Sequence, residues 1–213
     1  MRGRRIYVDI DDVLSSTIER LIDLLEQLHD RRVEVEEVLH FDLEKSFGLD
    51  ADEIARFMEH AHADPVIESL EPAPGAREVL GRWAASGHHV HLVTGRPPIT
   101  NAASRRWLAS HRLHHDALDH LDKWGRPSWN LDGLPAIGFD ELPRLRFEYA
   151  VEDSLDTAVR LVEQLDVPVA LMDRPWNRAV DRLPREVRER LVRCRGWDDV
   201  AGWLARNEER RGR

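Results

Sequence analysis

The chain has 213 residues, 42% of them hydrophobic and 33% charged, with a formal net charge of −9. That length suits one good-sized domain, or a core domain with an insert, and supplies enough apolar side chains for a packed core. The acidic balance excludes a globally basic surface for a nucleic acid polymer, and the single cysteine, Cys194, excludes an internal disulfide and a Cys-based zinc site. No apolar run approaches the ~18 residues of a membrane span, and none of signal-peptide type precedes the first strand. The expectation is a soluble cytoplasmic protein with no membrane partner. Among the basic residues only Lys45 and Lys123 are lysines, so chemistry that needs an ammonium has two candidates.

In chain order, the first element is a short β-rich run, Ile6-Tyr7-Val8, which reads as a buried strand and ends in Asp9, Asp11 and Asp12. Ser15 or Ser16 can cap a following helix whose Ile18, Leu21, Ile22, Leu25 and Leu28 share one face. Val33 to Phe47 reads as helical, and Asp50 caps a helix from about Ala51 to His62 that Asp64-Pro65 ends. The block from 15 to 72 thus reads as all-helical, too long for a simple crossover and better taken as an inserted cap. Pro74-Gly75 marks the return to the core. A helix from Ala76 to Ser86 stops at Gly87, and His88 to Val93 is a strand ending in Thr94-Gly95-Arg96, with a helix beyond it to His111. Weaker strands follow at Asp116–Leu121, ending at Asp122-Lys123, and at Arg146–Val151, closed by Glu152-Asp153-Ser154. A helix carrying Leu155, Ala158, Val159, Val162 and Leu165 leads to a strand at Val167–Met172. Helices near 184–193 and 197–206 finish the chain, with Trp197 and Trp203 as anchors on the core. This alternation after residue 75 predicts an α/β fold: a doubly wound parallel sheet, residues 1–14 and 73–213, with a small all-helical cap at 15–72.

In such a sheet the C-terminal strand ends share one edge, where ligands bind. Four of them carry polar groups: Asp9/Asp11/Asp12, Thr94-Gly95, Lys123 and Glu152-Asp153. Carboxylates crowded at a buried strand end need a cation or a proton to offset their repulsion. A carboxylate can attack phosphorus, and a second one two residues on can protonate the leaving oxygen and later deprotonate water. A hydroxyl, a backbone amide and an ammonium can hold phosphate oxygens, and a further carboxylate completes a hard oxygen site for Mg²⁺.

Asp9-Ile10-Asp11-Asp12-Val13-Leu14, Leu92-Val93-Thr94-Gly95-Arg96, Lys123 and Val151-Glu152-Asp153-Ser154 resemble, in order, the four motifs of the haloacid dehalogenase (HAD) superfamily of phosphohydrolases. The helical block after the first motif is similar to that family's cap. The resemblance implies Asp9 as nucleophile and Mg²⁺ ligand, and Asp11 as acid/base that lends its backbone carbonyl to the metal. It implies phosphate binding by Thr94, Gly95 and Lys123, with Arg126 the alternative cation, and a metal ligand in Asp153 with Glu152 beside it. Asp12, standing where the family commonly has glycine, reads as the start of a turn ahead of a metal contact. Arg96 reads equally as a substrate contact or a salt-bridge partner. Pro74-Gly75-Ala76, Thr94-Gly95-Arg96-Pro97 and Arg174-Pro175-Trp176-Asn177 resemble the branch containing 5′(3′)-deoxyribonucleotidases, which implies a small phosphorylated substrate such as a nucleoside monophosphate. Most of Phe41, Phe47, Phe57 and Met58 are expected in the cap's own core, with one or two left to face a base or sugar. A phosphomutase and a non-enzymatic phospho-aspartate switch are the alternatives. The sequence leaves the oligomeric state open, a homodimer included.

Overall fold

The computed structural model describes residues 3–123, 125, 130–131 and 134–211. Strand β1 (Arg5–Val8) leads into α1 (Thr17–His29), a 3₁₀ turn (Val35–Glu37), α2 (Leu43–Phe47), α3 (Ala51–Ala61), α4 (Asp64–Glu68) and α5 (Ala76–Ala85). Next come β2 (His89–Thr94), α6 (Asn101–Ser110), β3 (Ala117–His120), a two-stranded hairpin of β4 (Asn130–Leu131) and β5 (Leu134–Pro135), and α7 (Leu142–Leu145). The last third is β6 (Tyr149–Glu152), α8 (Leu155–Leu165), β7 (Val169–Met172), α9 (Arg185–Arg188), β8 (Leu191–Cys194) and α10 (Trp197–Arg211).

Six strands form one sheet in the order β3-β2-β1-β6-β7-β8, every neighbouring pair parallel. The chain winds outward from β1 through β2 and β3, then returns to the other side of β1 with β6. That reversal opens a crevice at the C-terminal ends of β1 and β6, the place where doubly wound sheets bind ligands. Both faces are covered, which is why residues 6–8 in β1 and 149–151 in β6 are apolar runs. Ile6 and Val8 join Leu80, Trp83, Trp107 and Trp197 on one side of the sheet, and Tyr7 joins Ala158, Leu161 and Phe147 on the other. The structure therefore has the expected doubly wound α/β architecture with a helical insert after its first strand.

The insert buries a cluster of its own, in which Phe47 and Phe57 meet edge to face at 5.5 Å. Five details differ from the sequence reading. First, the serines do not cap α1. Ser16 occupies the cap position without a side-chain bond, and Asp12 Oδ1 accepts the Ile18 amide at 3.0 Å instead. Second, the α1 stripe is shifted, with Leu24 buried and Leu28 42% exposed. Third, Val33 to Phe47 is not one helix. The 3₁₀ turn and the five-residue α2 flank an irregular stretch, because Asp42 caps α2 at its start and Gly48, with φ of 58°, closes it. Fourth, Asp64-Pro65 opens α4, where a proline in the first turn lacks only an amide that would be unbonded anyway. α4 packs on α6 and gives Ile67, with Leu70 just beyond its end, to a sheet-side cluster.

Fifth, the helix expected near 184–193 is the four-residue α9 followed by β8, an edge strand pairing with β7. Arginines at 188, 190 and 193 mask the strand in the sequence, since at an edge one face and one side stay in solvent. Asp50 does cap α3, through a reciprocal pair with Glu53. Among the described residues no helix is long and apolar enough to cross a membrane.

Candidate active site

The acid strand ends where β1 stops pairing. The Asp9 amide donates to Val151 O at 3.0 Å, which fixes the backbone and turns the side chain into the crevice, where it is 2% exposed. From β6, Glu152 is fully buried and Asp153 is 2% exposed. One carboxylate oxygen from each of Asp9, Glu152 and Asp153 lies within 4.8 Å of the others, the one grouping among the described residues with metal-ligand spacing. Lys123 reaches in beyond β3: its Nζ is 3.1 Å from Glu152 Oε1 and 3.9 Å from Asp9 Oδ2. Gly95 makes room for it, because a Cβ there would sit 3.2 Å from Lys123 Cε. The Thr94 hydroxyl, fully buried, accepts the Arg96 amide at 3.2 Å, which leaves its proton free to donate. The sequence-derived residues Asp9, Thr94, Gly95, Lys123, Glu152 and Asp153 therefore converge on one end of the sheet. Arg126 lies outside the described residues.

Three buried carboxyls face one ammonium here, an excess of two negative charges when all three ionise. Burial and the neighbouring Glu152 push the Asp9 carboxyl well above the usual range. Burial, opposed by Lys123, puts Glu152 at about 7, and burial with the nearby Asp9 charge puts Asp153 at about 7. Burial works against the Lys123 ammonium, yet Asp9 and Glu152 overcome it and raise its pKa. Asp9 Oδ1 is buried without a hydrogen-bond partner. A divalent cation would satisfy that oxygen and cancel the excess charge, so the donor set fits a hard oxygen-ligated ion.

The sign of these shifts yields a prediction. Carboxyls whose folded pKa is raised contribute stability that is complete below their unfolded values near 4 and lost as pH climbs through 7. The metal-free protein is expected to melt at lower temperature at pH 8 than at pH 5.5, and millimolar Mg²⁺ at pH 8 to restore several degrees. Scanning calorimetry with and without EDTA measures both.

Asp11 stands apart from this trio. Its carboxylate receives Arg96 Nη2 at 2.6 Å and Nε at 3.0 and 3.1 Å, and the Thr17 hydroxyl at 2.7 Å. Burial alone would raise its pKa, but the Arg96 charge and hydrogen bonds, with Thr17, hold it below the usual carboxylate range. Arg96, 4% exposed, is itself braced by Ser104 Oγ and by the face of Trp107. Asp12 has φ of 56°, a left-handed conformation that glycine adopts most easily, and its side chain is spent on capping α1.

Four hydrogen bonds in the site are not read from the sequence, although Trp197 is expected as a core anchor and the run Arg174 to Asn177 as a motif. Tyr7 Oη donates to Glu152 Oε2 at 3.2 Å, and Arg174 Nη2 to the Asp12 carbonyl at 2.7 Å. Trp176 Nε1 donates to Asp153 Oδ2 at 2.8 Å, and Trp197 Nε1 to the Val13 carbonyl at 2.9 Å. The run Arg174 to Asn177 was visible as a motif. Its targets were not, since nothing local says which strand end a loop will face.

Above these groups lies a cavity of about 540 Å³, walled on the far side by the insert. Phe41, 43% exposed, stands at its rim 5.9 Å from Lys123 Nζ, and Met58 and Ile54 line its wall. Phe47 and Phe57 are interior to the insert, so of the four candidates only Phe41 and Met58 face the cavity.

Residues 4–119 match the model of the family described as 5′ nucleotidase, deoxy (Pyrimidine), cytosolic type C protein. The chain belongs to this family. It is an HAD-type phosphoric monoester hydrolase of nucleotidase-like kind. A Halalkalibacterium halodurans protein bearing the name "Putative nucleotidase" is 27% identical over 203 residues, covering 95% of this chain and 93% of its own. Among solved structures, a predicted phosphatase of Clostridium acetobutylicum superposes with a TM-score of 0.63 at 14% identity, over 97% of this chain and 100% of its own. A haloacid dehalogenase-like hydrolase of Streptococcus pneumoniae gives 0.63 at 11% identity, over 94% and 98%. The D,D-heptose 1.7-bisphosphate phosphatase of B. bronchiseptica, solved with magnesium and phosphate, gives 0.52 at 15% identity, over 96% and 99%. These structural likenesses establish the shared fold of this nucleotidase-family chain.

Proposed function

We propose that this nucleotidase-family chain is a Mg²⁺-dependent phosphatase of a small phosphate monoester, a nucleoside or deoxynucleoside monophosphate, acting through an aspartyl-phosphate on Asp9. The observation that carries the reading is the buried, unpartnered Oδ1 of Asp9 beside Lys123 and two further carboxylates. Asp9 and Asp153, with the backbone carbonyl of Asp11, would hold Mg²⁺, and Glu152 would support them while anchoring Lys123. The ion supplies charge neutralisation that lets an anionic carboxylate approach an anionic phosphate.

In the first step an Asp9 oxygen forms a bond to phosphorus, the ester P–O bond breaks, and the departing alkoxide takes a proton from Asp11. In the second, Asp11 takes a proton from water, the water oxygen bonds to phosphorus, and the P–O bond to Asp9 breaks to release inorganic phosphate. Thr94, the Gly95 amide and Lys123 hold the phosphate oxygens. The Arg96 clamp keeps Asp11 in the ionised form that the second step needs. The first step requires the protonated form, which the Arg96 clamp disfavours.

The cavity volume is in the range of small-molecule sites, and the exposed Phe41 ring at its rim supports a flat leaving group such as a base. A screen of nucleoside monophosphates, sugar phosphates and phospho-amino acids, with and without Mg²⁺, tests this. Free phosphate is expected chiefly from nucleoside monophosphates and only with the metal. Phosphoryl transfer to another hydroxyl without free phosphate, or a long-lived phosphoprotein without turnover, would replace the proposal.

A further inference from the structure

We infer that Trp176 is a positioning residue that ties the Asp153 carboxylate to the seating of the helical insert, so that metal binding in the crevice is felt by the insert. The inference rests on the reading of Asp153 as a metal ligand. The loop after β7 carries several anchors aimed at neighbouring strand ends. Asn177 Nδ2 donates to both the Asp153 and the Met172 carbonyls at 2.7 Å, which staples the end of β6 to the end of β7. Arg174 Nη2 reaches across to the Asp12 carbonyl at 2.7 Å, so the same loop also grips the turn after β1. Between these anchors the Trp176 indole N–H donates to Asp153 Oδ2 at 2.8 Å. That bond fixes the rotation of the carboxylate, as a partner behind a ligating group does.

The other side of the same ring points elsewhere. Trp176 packs against the apolar cluster of the insert, the cluster built on Phe47 and Phe57. The 3₁₀ segment that contains it (Pro175–Arg182) touches the Val35–Glu37 turn of the insert. One side chain thus contacts a carboxylate of the acid trio with its polar edge and the insert with its apolar body. An indole suits both tasks, being a large rigid surface with a single donor. A second link at Thr17 bonds Asp11, not the trio, and so does not report on Asp153 directly.

Trp176→Phe removes the donor and keeps the ring. Mg²⁺ affinity, measured by titration calorimetry on the full chain, is expected to fall about tenfold. Turnover at saturating Mg²⁺ should recover to within about twofold of wild type, since the ligand remains and only its orientation is loosened. Hydrogen exchange supplies the readout that a merely structural role would not move. In wild type, Mg²⁺ is expected to slow exchange in α3 and around residues 35–38. In Trp176→Phe, at Mg²⁺ concentrations that saturate it, that slowing should be lost while the metal-free pattern is unchanged. Trp176→Met, which also lacks the donor but keeps apolar bulk, repeats the test if the first variant folds poorly. Wild-type Mg²⁺ affinity and an intact exchange response in the variants would overturn the inference alone. Failure of the wild-type protein to bind Mg²⁺ at all would overturn it together with the metal-site reading.

Discussion

Asp9→Asn is expected to lower Mg²⁺-dependent hydrolysis of an aryl phosphate by on the order of 10⁴-fold or more, the usual scale for loss of a covalent nucleophile. The carboxamide has the same shape, so the loss cannot be assigned to a collapsed crevice. The variant should also be more stable than the parent without metal. Burial and the neighbouring Glu152 both disfavour the Asp9 charge, so a neutral replacement removes that penalty wherever the carboxyl would ionise. A melting temperature raised by about 2–4 °C would correspond to ~1 kcal/mol in a chain of this size. A dead enzyme that is more stable than its parent is the signature of a residue placed for chemistry at a cost in stability. Substantial turnover by the purified variant would remove Asp9 as nucleophile and with it the aspartyl-phosphate route.

Lys123→Met should act in the opposite sense on stability. The ammonium is bonded to Glu152 and lies close to Asp9. Its removal leaves buried carboxylates uncompensated, a change that typically costs about 3–5 kcal/mol. The cost should depend on pH. At pH 5.5 the carboxyls with raised pKa take up protons and the loss is small, whereas at pH 8 it is largest. Turnover should fall about 10²–10³-fold even with Mg²⁺ present, because a fixed donor to the phosphate oxygens is gone. Denaturant titrations at the two pH values, paired with steady-state kinetics, measure both effects. A pH-independent stability change would mean that Lys123 contributes through packing and that the trio is neutralised in some other way.

The parts of this site that could be read from the sequence are those encoded by short spacing. A β-rich tripeptide running into Asp9 and Asp11, and a strand ending in Glu152-Asp153, are local patterns, and the α/β alternation after residue 75 tells which sheet edge they share. Thr94, Gly95 and Lys123 could be named for the same reason, as strand-end residues of the right chemical type. β8 was missed because an edge strand with three arginines in or beside it has no buried run to mark it. The capping of α1 by Asp12 was missed because the two serines stand at the more usual position and the donor that matters is reached by a left-handed turn.

The sequence by itself determined the chemical inventory and the architecture: acids, a hydroxyl and an ammonium delivered to one edge of a parallel sheet, with a helical insert after the first strand. Tertiary structure alone decided who bonds to whom. Arg96 is spent on Asp11 across 85 positions, Tyr7 on Glu152 across 145, and Trp176 on Asp153 across 23. Periodicity records which face of an element is buried. It does not record which partner that face meets, because the partner is set by strand order and by the turn of each loop. Those pairings hold the acids in charge states and orientations that their own residue types do not prescribe.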